Sequence, residues 1–364
     1  MLVLSCPPVR SAAGVLKKRL ARRGSRRTAR LLAIFAAVTC YSIAQGTFTN
    51  PIRDSGPDPW IEYHDGTYYL MTTTGDNLTI WKSPTLGGLK NTEPHIVWKP
   101  PSRTAPYATD IWAPELHSIG GKWYIYFAGD ADKHNDTHRI WVVENAARDP
   151  TTGTWVMKGE LADPSDKWAI DPSVFEDKHK WYVVWSGWPD DVDGAQNIYI
   201  GRLKNPWTIE GHRVLLSTPD HDWEEHGPVK VDEGPEVLKH DGKLFLVFSA
   251  SHCSTDNYEL GMLTASAKSD LLNPDSWKKS PQPVFVESQE ARAFGVGHNG
   301  FFRSPDGKQD WIIYHANPGP NEGCGAMRST RAQPFKWNAD GTPNFGQPAP
   351  LGTPTAEPSG ERSH

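Results

Sequence analysis

The chain has 364 residues, enough for one large domain or two smaller ones, with 38 basic and 43 acidic residues and a formal net charge of −5. Its first 44 residues hold nine of the basic residues and no acid, so the remaining 320 carry a charge near −14. An acidic body argues against nucleic acid or an anionic membrane as partner and is compatible with a neutral polysaccharide.

In chain order, the basic opening ends in Arg26, Arg27 and Arg30, followed by an apolar run over 31–40 and the small-residue stretch Ser42-Ile43-Ala44. This order predicts a secretory signal peptide over 1–44. The run is well short of the ~18 to 20 residues that cross a bilayer as a helix. The body is expected over 45–352, with a flexible tail at 353–364. The sequons Asn77-Leu-Thr79 and Asn135-Asp-Thr137 are candidate glycosylation sites of an exported protein. His134 and His138, with ligand-like spacing, flank a sequon in a polar stretch and read as a solvated loop. Only Cys253 and Cys324 remain beyond the leader. In an oxidising compartment such a pair is expected to be bridged, the alternative being two buried thiols.

Five copies of one pattern span the body. They are Asp58-Pro-Trp-Ile-Glu-Tyr-His-Asp-Gly-Thr-Tyr-Tyr, Ala113-Pro-Glu-Leu-His-Ser-Ile-Gly-Gly-Lys-Trp-Tyr, Asp171-Pro-Ser-Val-Phe-Glu-Asp-Lys-His-Lys-Trp-Tyr, Gly234-Pro-Glu-Val-Leu-Lys-His-Asp-Gly-Lys-Leu-Phe and the degenerate His298-Asn-Gly-Phe-Phe-Arg-Ser-Pro-Asp-Gly. Each reads as a half-apolar strand, a tight turn and a strongly apolar second strand, the last expected to be covered on both faces. Pro59, Pro114, Pro172, Pro235 and Asn299 recur at intervals of 55, 58, 63 and 64 residues, room for four short strands each. Four-stranded units at that period predict an all-β fold, a five-bladed β-propeller. Equivalent positions then ring one axis. Asp58 and Asp171 occupy the same position in repeats one and three, and Glu233 lies one residue before that position in repeat four. The three carboxylates are therefore expected to converge on one pocket. A lone Asp-Pro is ordinary turn chemistry, which is how Asp149-Pro150 and Asp163-Pro164, outside the register, are read.

Hydrolysis of a glycosidic bond needs one carboxylic acid to protonate the leaving oxygen and one carboxylate to activate water, the acid's pKa being raised by burial or a negative neighbour. At these residues the chain resembles glycoside hydrolase family 43, five-bladed propellers that act by inversion on arabinans, arabinoxylans and xylo-oligosaccharides. The resemblance covers roughly 47–350. It rests on Gly56-Pro57-Asp58-Pro59, Asp110-Ile-Trp112-Ala-Pro-Glu115, Ile170-Asp171-Pro172-Ser173, Glu233-Gly-Pro235 and Gly295-Val-Gly-His298-Asn299, all in order. It implies Asp58 as general base, Asp171 as the residue tuning the acid and Glu233 as general acid, with Glu236 a nearby rival and Glu115 its counterpart in repeat two. It further implies Arg292 as an arginine contacting acid or substrate, and His298 as an axial residue near a bound calcium or water cluster. No cofactor is implied as a requirement. Trp112 is the first choice for an aromatic wall against the sugar, most of the 16 tryptophans being assigned to blade core.

Within the family, the run Arg328-Ser-Thr-Arg-Ala-Gln-Pro-Phe-Lys-Trp and the segment Tyr258-Glu-Leu-Gly-Met-Leu-Thr264 look like those of exo-acting α-L-arabinofuranosidases. The expected activity is release of terminal L-arabinofuranose from α-1,5-linked arabinan by a secreted monomer. β-Xylosidase, endo-arabinanase and a non-catalytic carbohydrate-binding propeller are the alternatives.

Overall fold

The structure, a computed structural model, describes residues 46–361. The expected signal segment at 1–44 lies outside the described residues. Twenty strands form five four-stranded antiparallel meanders over 60–98, 109–160, 169–217, 232–279 and 294–344, here blades 1 to 5. Their first strands, Trp60–His64, Thr109–Ile119, Ala169–Asp177, Asp232–His240 and Phe294–Arg303, each neighbour the next, and the fifth neighbours the first. The ring is closed, so this is the five-bladed propeller expected from the repeats.

The second strands are buried along nearly their whole length, as in Trp123–Asp130 and Leu244–Ala250. Each blade packs face to face on its neighbours, which divides the core into five apolar layers, one per interblade seam. Ile125 and Trp60 share the seam of blades 1 and 2, Val183 and Tyr126 that of 2 and 3, and Leu246 and Ile198 that of 3 and 4. Tyr314 and Val247 share that of 4 and 5, and Trp311 and Ile61 that of 5 and 1. A buried side chain of this size contributes about 1.5–3 kcal/mol, so the seams hold the ring together.

The two-residue hairpins between first and second strands use two successive residues with positive φ, the turn whose twist matches the strands. Asp65-Gly66 and Asp241-Gly242 supply them, at φ 47° and 81° and at 45° and 74°. Lys178 and His179 adopt the same conformation in blade 3 without glycine.

One expectation is corrected. The described part of the 353–364 tail is docked: Pro354–Ala356 pairs antiparallel with Thr47–Thr49, and the Glu357 carboxylate accepts the Gly87 N–H at 3.2 Å. Backbone pairing and a buried carboxylate hold the segment, an outcome that its Pro- and Gly-rich composition does not reveal.

Candidate active site

The five in-register positions share one backbone conformation. Asp58, Ala113, Asp171, Gly234 and His298 have φ of 54°, 42°, 53°, 56° and 48°. Strand pairing slips at the same place in blades 2 to 5, between Trp112 and Glu115, Ile170 and Ser173, Glu233 and Glu236, and Gly297 and Gly300. Each is a bulge that re-aims a side chain out of the pleat. The left-handed conformation costs a non-glycine residue roughly 1–2 kcal/mol. Asp, Asn and His tolerate it best, which suits three of the five residues found here.

This shared conformation goes with the meeting of Asp58, Asp171 and Glu233 at one cavity of about 450 Å³, together with His298, Thr73 and Arg328. Asp58 Oδ1 lies 2.7 Å from Arg328 Nη1, and Oδ2 accepts the Thr73 hydroxyl at 2.7 Å. Thr73 Oγ1 in turn accepts the Ala113 N–H at 2.8 Å. The Nδ1 atoms of His298 and His315 stand 3.5 and 3.4 Å from Asp58 Oδ1. The Asp58 backbone N–H donates to His315 Nδ1 at 3.1 Å. Burial alone would push the Asp58 carboxyl up; Arg328, His298 and His315 outweigh it and hold the group well below the usual range.

The other two carboxyls are shifted the opposite way. Burial pushes Glu233 up to about 7, with the Asp58 charge adding to it and a hydrogen bond from the Tyr258 hydroxyl, 2.9 Å from Oε1, opposing it. Asp171 is pushed well up by burial, then by Glu233 and Asp58, while its Oδ2 accepts the Gly234 N–H at 3.0 Å. One carboxylate kept ionised faces two that hold protons near neutral pH. Such a pair can deliver one proton and accept another in a single step.

The opposite wall is aromatic. Trp168 and Trp188 stack at 4.7 Å with planes 6° apart, and Trp112 lies over His138 at 4.1 Å. All three tryptophans line the cavity, Trp112 as expected. His138 is a correction to the solvated-loop reading: it is fully buried on the strand His134–Asn145, its ring nitrogens each 3.1 Å from a backbone carbonyl, of Asn135 and of Asp110. A polar sequence neighbourhood hid an alternating strand whose inward positions begin at His138.

Arg292 is a second correction. Its side chain is exposed and does not line the cavity; its carbonyl accepts from Arg331 Nη2 at 2.6 Å. The arginine at the carboxylates is Arg328, in the run preceding Ser329–Trp337 of blade 5. Glu236 and Glu115 also lie off the cavity, Glu236 accepting the Ser173 hydroxyl at 2.6 Å and Glu115 lying 2.8 Å from His117 Nε2. Cys253 and Cys324 are bonded to each other, Cα atoms 5.1 Å apart, and staple a loop of blade 4 to one of blade 5 on the cavity wall. Asn135 is exposed at the same cavity, and Asn77 is half-buried with its Oδ1 accepting from Thr79.

Calcium beside His298 would need six to eight oxygen ligands. The carboxylate next to that ring is Asp58, already held by Arg328 and Thr73. Among the described residues, the groups of three potential ligands lie elsewhere. One is Asp220, His221 and Glu224, and the other is His252 with the two cysteines, whose sulfurs are spent on the disulfide. A hard cation beside His298 would have to take most of its ligands from water, since the one neighbouring carboxylate is already engaged.

The model of "Glycosyl hydrolases family 43" matches residues 48–343. The chain is 41% identical over 310 residues to an extracellular exo-α-(1→5)-L-arabinofuranosidase of Streptomyces avermitilis, covering 83% of this chain and 64% of that protein. It is 40% identical over 273 residues to a protein of the same name from Streptomyces chartreusis, covering 74% and 82%. It thus spans about two-thirds of the length of the first of these relatives. Among solved structures, an α-L-arabinofuranosidase from Lactobacillus brevis superposes with a TM-score of 0.79 at 39% identity, covering 84% of this chain and 98% of that one. The blades, the matched span and these identities together establish that the chain belongs to glycoside hydrolase family 43.

Proposed function

We propose that the chain is a secreted, inverting exo-α-L-arabinofuranosidase that releases terminal L-arabinofuranose from α-1,5-linked arabinan and its oligosaccharides. The observation that carries this reading is the opposed electrostatics of Asp58 and Glu233 within one cavity. The names of the relatives at 40% and 41% identity support the linkage, the exo action and the extracellular setting. Export through a signal peptide over 1–44, a body over 45–352 extended by the docked 353–361 segment, and glycans at Asn77 and Asn135 belong to the same proposal. The disulfide is consistent with it.

In this reading Asp58 accepts a proton from water as that water attacks the anomeric carbon, while Glu233 gives its proton to the departing glycosidic oxygen. The water oxygen becomes the new anomeric hydroxyl on the opposite face, and Asp58 ends protonated with Glu233 ionised. Asp171 tunes the acid, since two buried carboxyls side by side disfavour each other's ionisation, and its Oδ2 anchors the Gly234 N–H, which fixes where Glu233 starts. Trp112, Trp168 and Trp188 offer flat apolar faces to the sugar C–H groups.

Product analysis tests the reading. Linear arabinan and α-1,5-arabino-oligosaccharides should yield arabinose alone from the first minutes, and proton NMR should show the β-anomer appearing first. Early arabinobiose or arabinotriose would mean endo action. Xylose from xylo-oligosaccharides would mean a β-xylosidase, and arabinan binding without turnover a carbohydrate-binding module.

Arg328 supplies a separate prediction. Asp58 is buried, and the guanidinium is the foremost of the groups that keep it ionised. Arg328→Met leaves burial less opposed, so the acid limb of kcat/KM should move to higher pH by about one unit or more. An unmoved acid limb would mean that Asp58 does not govern it.

A further inference from the structure

Resting on the reading of Glu233 as the acid, we propose that Tyr258 is its positioning residue, selecting which carboxyl oxygen carries the transferable proton. Tyr258 precedes the strand Glu259–Ser266 of blade 4 and is 1% exposed. Its hydroxyl lies 2.9 Å from Glu233 Oε1.

The donors around it run in one direction. The His298 backbone N–H donates to Ser249 Oγ at 2.7 Å, so that oxygen is already an acceptor. Ser249 is hydrogen-bonded to the Tyr258 hydroxyl, and with its oxygen accepting from His298 its one proton is free to face the tyrosine. The single tyrosine proton is then left for Glu233 Oε1, and an oxygen that accepts it cannot also hold the acid proton facing the same partner. The transferable proton sits on Oε2.

The ring is held as firmly as the hydroxyl. It stacks on His315 at 5.5 Å with planes 5° apart. On blade 5, Gly297 leaves the room it needs, since a Cβ there would come within 2.2 Å of Tyr258 Cε1 and 2.9 Å of Ser249 Oγ. Two stretches of sequence, Tyr258-Glu-Leu-Gly and Gly295-Val-Gly-His298, are thereby tied to a single task.

The hydroxyl favours the ionised form of Glu233, so its loss raises the Glu233 pKa. The other groups facing this carboxyl are unchanged by a tyrosine substitution: Asp171 from blade 3, Asp58 from blade 1 and Arg328 from blade 5. Tyr258→Phe in the full chain should therefore move the basic limb of kcat/KM up by about one pH unit. On α-1,5-arabinotriose kcat should fall about tenfold with KM little changed, because a weaker acid on the wrong oxygen protonates a sugar leaving group slowly. On 4-nitrophenyl α-L-arabinofuranoside, whose leaving group needs no proton, the loss should stay under about twofold. Gly297→Ala, which displaces the same ring from the other side, should reproduce the pH shift.

An unmoved basic limb, or equal losses on the two substrates in both variants, overturns the proposal. Glu233→Gln, measured in parallel, separates the two readings. If it shows no dependence on leaving group, the acid assignment itself fails. If it shows that dependence while Tyr258→Phe keeps the wild-type limb, only the role of Tyr258 fails.

Discussion

Asp58→Asn is expected to lower kcat on α-1,5-arabinotriose by about 10³- to 10⁴-fold, the upper range for a positioned general base. The amide is nearly isosteric, and its oxygen can still accept from Thr73. It cannot take a proton from water, because it is not basic. The groups beside it offer no ready replacement: Glu233 and Asp171 are shifted toward their protonated forms by burial first and by the Asp58 charge as well, and the His298 ring is depressed by burial and lies against Asp58 itself. Stability should change little by comparison, since five apolar seams hold the propeller closed. The loss of the Arg328 pair falls on a side chain 13% exposed that can still reach water. Stopped assays with arabinotriose, alongside thermal melts, check both halves. Activity above about a tenth of wild type would remove Asp58 from the mechanism.

Glu233→Gln should produce a loss that depends on the leaving group. On arabinotriose kcat should fall about 10³-fold, because an alkoxide does not leave without a proton. On 4-nitrophenyl α-L-arabinofuranoside the loss should be far smaller, nitrophenolate being a stable anion. The pH profile should change in step. Glu233 holds its proton to about pH 7, so activity of the native protein should decline above that value as the acid ionises. Asp58, held well below its ordinary range, keeps the acid limb at low pH. A glutamine does not titrate, so the variant should lose the basic limb and keep the acid one. Equal losses on the two substrates would assign the acid elsewhere, and Glu236 lies off the cavity, bonded to Ser173.

The blades were legible because a propeller writes its architecture as a period. Pro59, Pro114, Pro172 and Pro235 follow the same left-handed position in four blades, and Asn299 follows it in the fifth. The convergence of Asp58 and Asp171 followed from that symmetry, since equivalent positions of a closed ring must face one axis. Glu233 followed from its place beside the register and from the family motif around it. Trp112 was read from the same blade-two signature and does line the cavity.

The partners of these groups left no periodic trace, although the runs beginning at Arg328 and Tyr258 carried part of the family resemblance. Arg328, Thr73, His315 and Tyr258 come from second and third strands or the loops beside them, where side-chain direction depends on how one blade stacks on the next. Arg292 was named by resemblance to an arginine that contacts acid or substrate, but a turn with φ 50° leaves its side chain exposed. His138 was misread because its neighbours are polar, although alternation along His134–Asn145 turns it inward under Trp112. The docked 353–361 segment was missed because strand pairing between chain ends leaves no periodic pattern.

What the amino-acid order determined by itself was the number of blades, the register of their repeats and the aspartates set on it, since all three are periodic properties of a repeating chain. The tertiary structure alone decided the protonation of those carboxylates and which arginine, histidines and tyrosine control it. The physical reason is that a pKa is set by burial and by charges a few ångströms away, and those neighbours are contributed by other blades.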